Sequence, residues 1–457
     1  MASSAEVKGN GGFGSKIGFV LAAAGSAVGL GNIWRFPYLA AKYGGGLFLI
    51  IYIILAVTFG FTLMITEIAI GRRTGKSVIG AYKSIDKRFS FLGWLAALVP
   101  VIITPYYCVI GGWVLKYLFT FAGGMGTEAA GDGSFFSGFI GEAGQPTVYF
   151  FVFLILTALV VMLGVEKGIE RISKFMMPVL VVLTLGIAVY TMTLDGAGAG
   201  LKYYLLPNFD GFTFEKLLKT IAAAMGQLFY SMSLAMGIMV TYGSYMRKQD
   251  SLEKSVRQIE VFDTGIAVLA GLIIVPAVFV FSGGDAGALN AGPGLMFITL
   301  PNVFQSMVGG QIVGTVFFVL VALAAITSSI SLMETVVSII MEKFKLRRIP
   351  ACLITIAICA ILGMLSVLGY SSWDKVTLFG MQFLDFFDFI SNNIMMPIVA
   401  LITCILIGWV TKPKYIEDEV LVSETKFGGK KLVTVMLKFV CIVCMIVILI
   451  TPFITKL

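Results

Sequence analysis

The 457-residue sequence contains no histidine, and only 13% of its residues are charged. Soluble domains carry about 25% charged residues, so an ordinary soluble globular domain is excluded. The missing histidine removes the usual neutral-pH general base. All six cysteines (Cys108, Cys352, Cys359, Cys404, Cys441, Cys444) fall inside apolar runs, where they form neither a disulfide framework nor a metal motif. No acidic pair stands at metal-ligand spacing. Together these absences weaken the reading of a membrane-embedded enzyme. A signal peptide is not expected either, because Met1–Gly14 is polar and glycine-rich and the next apolar stretch is too long.

Apolar residues make up 58% of the chain and mean hydropathy is +0.97. They are grouped in runs of about 20 or more residues, the length that crosses a ~30 Å hydrocarbon core. The class is an all-α polytopic membrane protein. Eleven spans are expected at 16–41, 45–70, 91–121, 146–164, 168–193, 215–246, 257–282, 307–342, 349–369, 376–410 and 433–455. The connections alternate in charge. One set is basic, for example Arg72, Arg73, Lys76 and Lys83, then Arg247, Lys248 and Lys254. The other set is poor in bases: 123–145 holds Glu128, Asp132 and Glu142 with no Lys or Arg. The net charge of +8 therefore follows topology and does not indicate nucleic acid. The positive-inside rule puts the N-terminus in the cytoplasm, and an odd span count puts the C-terminus outside. Segment 283–306 reads as an extracellular hairpin folded back onto the helices, and 411–432 as a cytoplasmic linker.

Backbone at membrane depth must be hydrogen-bonded, so a break in a spanning helix is tolerated where it lines a cavity. The first span carries Gly25, Gly29 and Gly31, followed at once by Asn32 and Arg35, and is read as broken. The sixth holds Ser231, Ser233, Ala235 and Gly237; these mark either close helix packing or a second break. Breaks opening two five-span blocks suit inverted repeats with a midplane binding site. In the eighth span Ala324, Thr327, Ser328 and Leu332 share one face. Their hydroxyls either form a hard-oxygen cation site or bond back to carbonyls of their own helix. The ionisable residues within spans are Arg35, Glu67, Asp263, Glu334, Asp385 and Asp388. Each is a functional candidate by its cost, or half of a structural pair.

Gly25 through Pro37, GSAVGLGNIWRFP, resembles the first-helix signature of the neurotransmitter:sodium symporter family. The likeness continues through Gly44-Gly45-Gly46, Glu67, Tyr106-Tyr107, Gln227–Gly237, Gly294–Pro301, Thr327-Ser328-Ser329 and Asp388, and covers nearly the whole chain. Eleven spans, and nine residues between Gly168 and Pro178, resemble bacterial members. The resemblance implies a LeuT-like fold: two inverted five-helix repeats with helices 1 and 6 broken, plus one extra C-terminal helix. The corresponding organisation is 1–15 cytoplasmic tail, 16–193 first repeat, 215–410 second repeat, 411–432 linker and 433–457 last span.

Site roles follow from the same resemblance. The Leu30 and Gly31 amides and the Tyr107 hydroxyl hold a substrate carboxylate. Ser26, Ile103, Tyr230, Ser233, Met236, Ser328 and Leu332 line the side-chain pocket. Asn32, Ser231, Asp263 and the Ala27 carbonyl form one Na⁺ site, with the substrate carboxylate completing it. The Gly25, Val28 and Ala324 carbonyls with Thr327 and Ser328 form a second. Arg35 and Asp388 make an outer gate with Tyr230 as lid. The cytoplasmic side opens through Gly168, Pro178 and the acid Glu342. The gate position that carries Arg in this family reads Asn10 here, with Lys8 nearby. Animal members need Cl⁻ beside the first sodium site; the position where another member carries Glu is Ala267, and Asp263 lies one turn earlier. The expected function is Na⁺-coupled symport of a neutral, hydrophobic L-amino acid by alternating access, chloride-independent, by a monomer in the cell membrane. A carrier of another small zwitterion or amine is the alternative, with a membrane enzyme or a channel as other classes.

Overall fold

The computed structural model describes residues 12–129, 133–209, 213–282 and 293–454. Among them nine helices are long and apolar enough to cross a membrane, or ten if Lys16–Ala27 and Gly31–Lys42, bent by 54° at the break between them, make one span. The expected sixth span is not a single crossing helix. It is divided into Phe214–Ser231 and Ile238–Tyr245, separated by six non-helical residues. Neither half has the length and apolarity to span alone, since Glu215, Lys216 and Lys219 occupy the start of the first.

Burial sorts the helices. In Lys87–Ala122 and Gly310–Phe344 the most apolar stretch is 78% buried, against 33% for Lys430–Thr451. The first two therefore form the centre, and the last leaves most of its surface to lipid. Both central helices run against Lys16–Ala27 or its extension and so carry side chains to the first break. Small residues permit the closest crossing. A Cβ at Gly71 would sit 1.9 Å from the Val240 carbonyl oxygen, and one at Gly243 would sit 2.4 Å from that of Ile68. Helix Gly46–Thr74 thus packs backbone to backbone against Ile238–Tyr245, the contact expected of small residues in membranes.

Segment 283–306 folds back where it is described. Leu295–Thr299 and Leu300–Ser306 are helical, and Leu295, Met296, Phe297, Leu300 and Phe304 are buried. Phe297 stacks on Phe136 at 5.0 Å and its carbonyl accepts from the Tyr117 hydroxyl at 2.6 Å. Residues 283–292 lie outside the described residues. Segment 411–432 is more than the expected linker. It forms the helix Lys414–Val420, whose Glu419 is buried and accepts from Arg72 Nε at 2.7 Å and Lys248 Nζ at 2.8 Å. Farther on, Gly428 N donates to Glu253 at 2.9 Å and Glu424 accepts from Glu253 N at 2.8 Å. A buried ion pair needs a partner on the neighbouring element, and the sequence alone does not show that partner.

Candidate functional site

The first helix starts cleanly, with Ser15 Oγ accepting from Gly18 N at 3.0 Å, and stops at Val28, whose backbone is extended (φ −75°, ψ 99°). Helical geometry resumes at Leu30 (φ −57°, ψ −31°). In the sixth span Ser233 (φ 52°), Ala235 (φ 59°) and Gly237 (φ 72°) are left-handed. For the two non-glycine residues this conformation is strained, and such strain persists only where the surroundings enforce it. Here Glu67 enforces it: its Oε1 accepts the freed Ala235 N–H at 2.7 Å. Ser233 Oγ donates to the Ser26 carbonyl at 2.9 Å, tying one break to the other. The small residues of the sixth span therefore mark a second break. Glu334 is a structural pair, bound to Arg348 at 2.6 Å and to the Tyr245 hydroxyl at 2.8 Å.

Between the breaks lies a narrow cavity of about 20 Å³. All ten residues expected to contact substrate line it, joined by Ala27, Gly29 and Ile238. The Tyr107 hydroxyl accepts from Leu30 N at 3.4 Å. Tyr230 roofs the cavity so closely that a Cβ on Gly31 would lie 2.4 Å from its ring.

The two expected ion sites flank this cavity. On one side Asp263, fully buried, accepts from Asn32 Nδ2 at 2.7 Å and from Ser231 Oγ at 3.3 Å. Asn32 Oδ1 accepts from Gly29 N at 3.1 Å. Two residues here were given no role in the sequence analysis. Tyr52 touches Ser231 Oγ at 3.0 Å and donates to Asp263 at 3.5 Å, and Gln227 donates to the Gly31 carbonyl at 2.8 Å. Both lie in apolar surroundings, where a buried polar side chain with no local partner was the only signal. Ala267 is buried as well. On the other side Ser328 Oγ reaches the Gly25, Ser26 and Val28 carbonyls at 3.3, 3.1 and 3.3 Å. Thr327 Oγ1 bonds back to Leu323 and Ala324 at 3.1 Å each. The back-bonding alternative thus describes Thr327, while Ser328 crosses to the first helix. A Cβ on Gly25 would stand 3.2 Å from Thr327 Cβ, so the whole set is adjacent.

The residues expected at the two gates lie at opposite ends of the site. Arg35 and Asp388 form no direct ion pair. Asp388 accepts from Asn392 at 2.6 Å and from the Tyr106 hydroxyl at 3.2 Å, while the Arg35 guanidinium lies over the Tyr230 ring, 5.5 Å from its centroid. The Tyr230 ring and the amide of Asn392 occupy the partner positions. At the other end Glu342 accepts from the Ser77 amide, and Lys8 and Asn10 lie outside the described residues. The chain ahead of the first helix is held elsewhere. Glu170 accepts from Gly14 N at 2.6 Å, Ser15 Oγ at 2.7 Å and Lys174 at 2.6 Å, and Arg247 donates to the Gly14 carbonyl at 2.8 Å. Gly168 has no room for a side chain, since its Cβ would meet the Val160 carbonyl oxygen at 2.2 Å. Pro178 sits inside the continuous helix Arg171–Met192.

The sodium:neurotransmitter symporter family matches residues 10–125 and 135–456 of the chain. The chain belongs to this family. Its relatives include the uncharacterized sodium-dependent transporter YhdH of Bacillus subtilis, 37% identical over 91% of this chain and 90% of that protein. An uncharacterized sodium-dependent transporter of Haemophilus influenzae is 32% identical over 91% and 92%. Among solved structures, MhsT in complex with L-phenylalanine superposes with a TM-score of 0.87 at 35% identity, covering 97% of this chain and 100% of that one. The symporter fold expected from the sequence, LeuT-like with its first and sixth helices broken, is thus shared with a solved member. The chain is a multi-pass sodium-dependent symporter of this family, a transporter rather than an enzyme.

Proposed function

We propose that the chain carries a neutral, hydrophobic L-amino acid, aromatic ones included, together with Na⁺ at two sites, by alternating access. The observation that carries this reading is the cavity between two broken helices, with oxygen-rich groups on both flanks. Freed amides at Leu30 and Gly31 and a helix N-terminus suit the substrate carboxylate. Asn32, Ser231, Asp263 and the Ala27 carbonyl offer hard oxygens for one Na⁺. The Gly25, Val28 and Ala324 carbonyls with Thr327 and Ser328 offer them for the other. Ile103, Met236 and Leu332 give apolar walls, where a Lys or Glu side chain would leave its charge unpaired. MhsT, with bound L-phenylalanine, supports aromatic size. Admission of a ring requires Tyr230 and the adaptable Met236 thioether to swing aside.

The Asp263 carboxylate offsets the charge of bound Na⁺ where unpaired charge costs several kcal/mol, so transport proceeds without chloride. The proposed orientation follows the basic connections: N-terminus in the cytoplasm, C-terminus outside, in the cell membrane. The test is reciprocity. If one Na⁺ shares the substrate carboxylate, each ligand raises the other's affinity by the same factor. Substrate Kd is measured across a Na⁺ titration, and Na⁺ affinity with and without L-phenylalanine. Affinities that ignore each other refute the shared site.

A further inference from the structure

On the helix Leu252–Phe281, Glu260 Oε1 and Thr264 Oγ1 are buried and have no hydrogen-bond partner among the described residues. Four residues apart, they share one face of the helix. Glu260 is only 5% exposed, and among the described residues no basic side chain pairs with it. The base nearest in sequence, Arg257, is committed to Glu253 at 2.9 Å and lies over the Phe61 ring, 4.6 Å from its centroid. Elsewhere in the bundle, threonines such as Thr62, Thr66 and Thr184 bond back to the carbonyl four residues earlier at 2.7 Å. Thr264 does not.

The helix Gly46–Thr74 runs beside this face. Its Tyr52 reaches Asp263 and its Phe61 reaches Arg257. Glu260, midway between those two, is therefore level with Ala56–Gly60, where the neighbouring helix widens into a π turn, a device frequent at functional sites. At 1.5 Å per residue, Glu260 lies about 12 Å along the axis from Leu252 and about 4.5 Å short of Asp263. It stands between the first ion site and the basic end of the helix. An ionised carboxylate at this depth requires a counter-charge. The neighbouring groups do not supply one, and Asp263 adds a second negative charge. A carboxylate with a hydroxyl is an oxygen-only set that suits a small hard cation, and one carboxylate matches one positive charge.

We infer that Glu260 and Thr264 form a further Na⁺ stop, which receives the ion leaving Asp263 and passes it to the cytoplasmic end of the helix. The inference rests on the two-site symport reading above. It gives the first ion an exit of its own, apart from the Gly168–Pro178 half-helix beside the second. Arg257, one turn below, keeps the stop weak, so the ion is released and not trapped.

Right-side-out membrane vesicles carrying the full chain test this, with L-phenylalanine uptake driven by external Na⁺ and internal Na⁺ set at loading. In the wild type, internal Na⁺ slows uptake by reloading the exit. Affinity at such sites follows ligand charge, so Glu260→Gln raises the half-inhibitory internal Na⁺ at least about fivefold and Thr264→Val about twofold, while Glu260→Asp stays within about twofold of wild type. The external Na⁺ giving half-maximal uptake and the L-phenylalanine Kd move less than about twofold, because Asp263 still holds the first ion. A packing defect would not spare one side of the membrane in this way. Internal Na⁺ that inhibits the wild type and Glu260→Gln alike, with external Na⁺ dependence intact, overturns the inference. A Glu260→Gln change that removes only a dependence on internal pH assigns the carboxyl to a proton and also overturns it. If the wild type shows no Na⁺-dependent uptake at all, the symport reading itself fails.

Discussion

Gly31 shows how a single missing side chain shapes the site. Its hydrogen faces the Tyr230 ring at a distance where a methyl group would lie 2.4 Å from the ring carbon, well inside contact. Gly31→Ala is expected to push Tyr230 off the cavity and weaken substrate binding at least tenfold, read as the Kd in Na⁺; an unchanged Kd would show that the ring is not the roof. In the proposed sodium site Asp263 acts through charge. Its carboxylate is fully buried and held by Asn32, Ser231 and Tyr52. Native uptake is expected to be equal in chloride and gluconate. Asp263→Asn, which on the proposed reading leaves bound Na⁺ without its counter-charge, should transport only when chloride supplies one. A native protein that stalls in gluconate refutes this role for Asp263.

Helices and breaks are the next scale, and here the sequence was unevenly legible. The first break could be read from three glycines in seven residues, and the pocket residues from an ordered set of motifs that the fold brings onto one cavity. Spacing along a helix is a local property, so Ala324, Thr327, Ser328 and Leu332 could be placed on one face in advance. Partners chosen by tertiary structure were not legible. Tyr52 looks like any aromatic in an apolar run until Ser231 and Asp263 approach it. Glu170 looks like one more charge at a helix end until Gly14 and Ser15 fold onto it. The Asn392 side chain, four residues along and donating to the Asp388 carboxylate of the expected outer gate, was not legible for the same reason. The helix Arg171–Met192 carries a further expectation. Pro178 removes one backbone donor from it, which makes its Gly168 end the weaker half and a route for water to the second ion site. Pro178→Ala should slow transport severalfold while substrate Kd in Na⁺ stays nearly constant. Equal loss of binding and transport would point to a folding defect.

At the scale of the whole molecule, the connection at 411–432 binds distant parts of the chain together. Arg72 and Glu419 stand 347 residues apart, and their side chains are 0% and 4% exposed. Breaking a buried pair from one side leaves an uncompensated charge, at about 3–5 kcal/mol, whereas replacing both partners with apolar residues is often nearly neutral. Glu419→Leu alone should lower the apparent Tm clearly, and adding Arg72→Met should recover more than half of the loss. Equal damage from the single and double variants would mean that the pair contributes nothing beyond its separate contacts. Lys248 also holds Glu419, at 2.8 Å, so the clamp joins three connections at one end of the bundle.

The left-handed backbone at Ser233 and Ala235 also constrains how this chain can change. Only glycine, and to a lesser degree asparagine and aspartate, sit comfortably at such angles, and a β-branched residue is effectively barred there. The shortest mutational routes to a bulkier or smaller pocket therefore bypass the sixth helix's break. They run through Ile103 and Leu332, which lie on uninterrupted helices and can exchange among apolar side chains one codon at a time. Selection for a new substrate, natural or in the laboratory, would collect its first mutations on those two helices and leave 233 and 235 as they are.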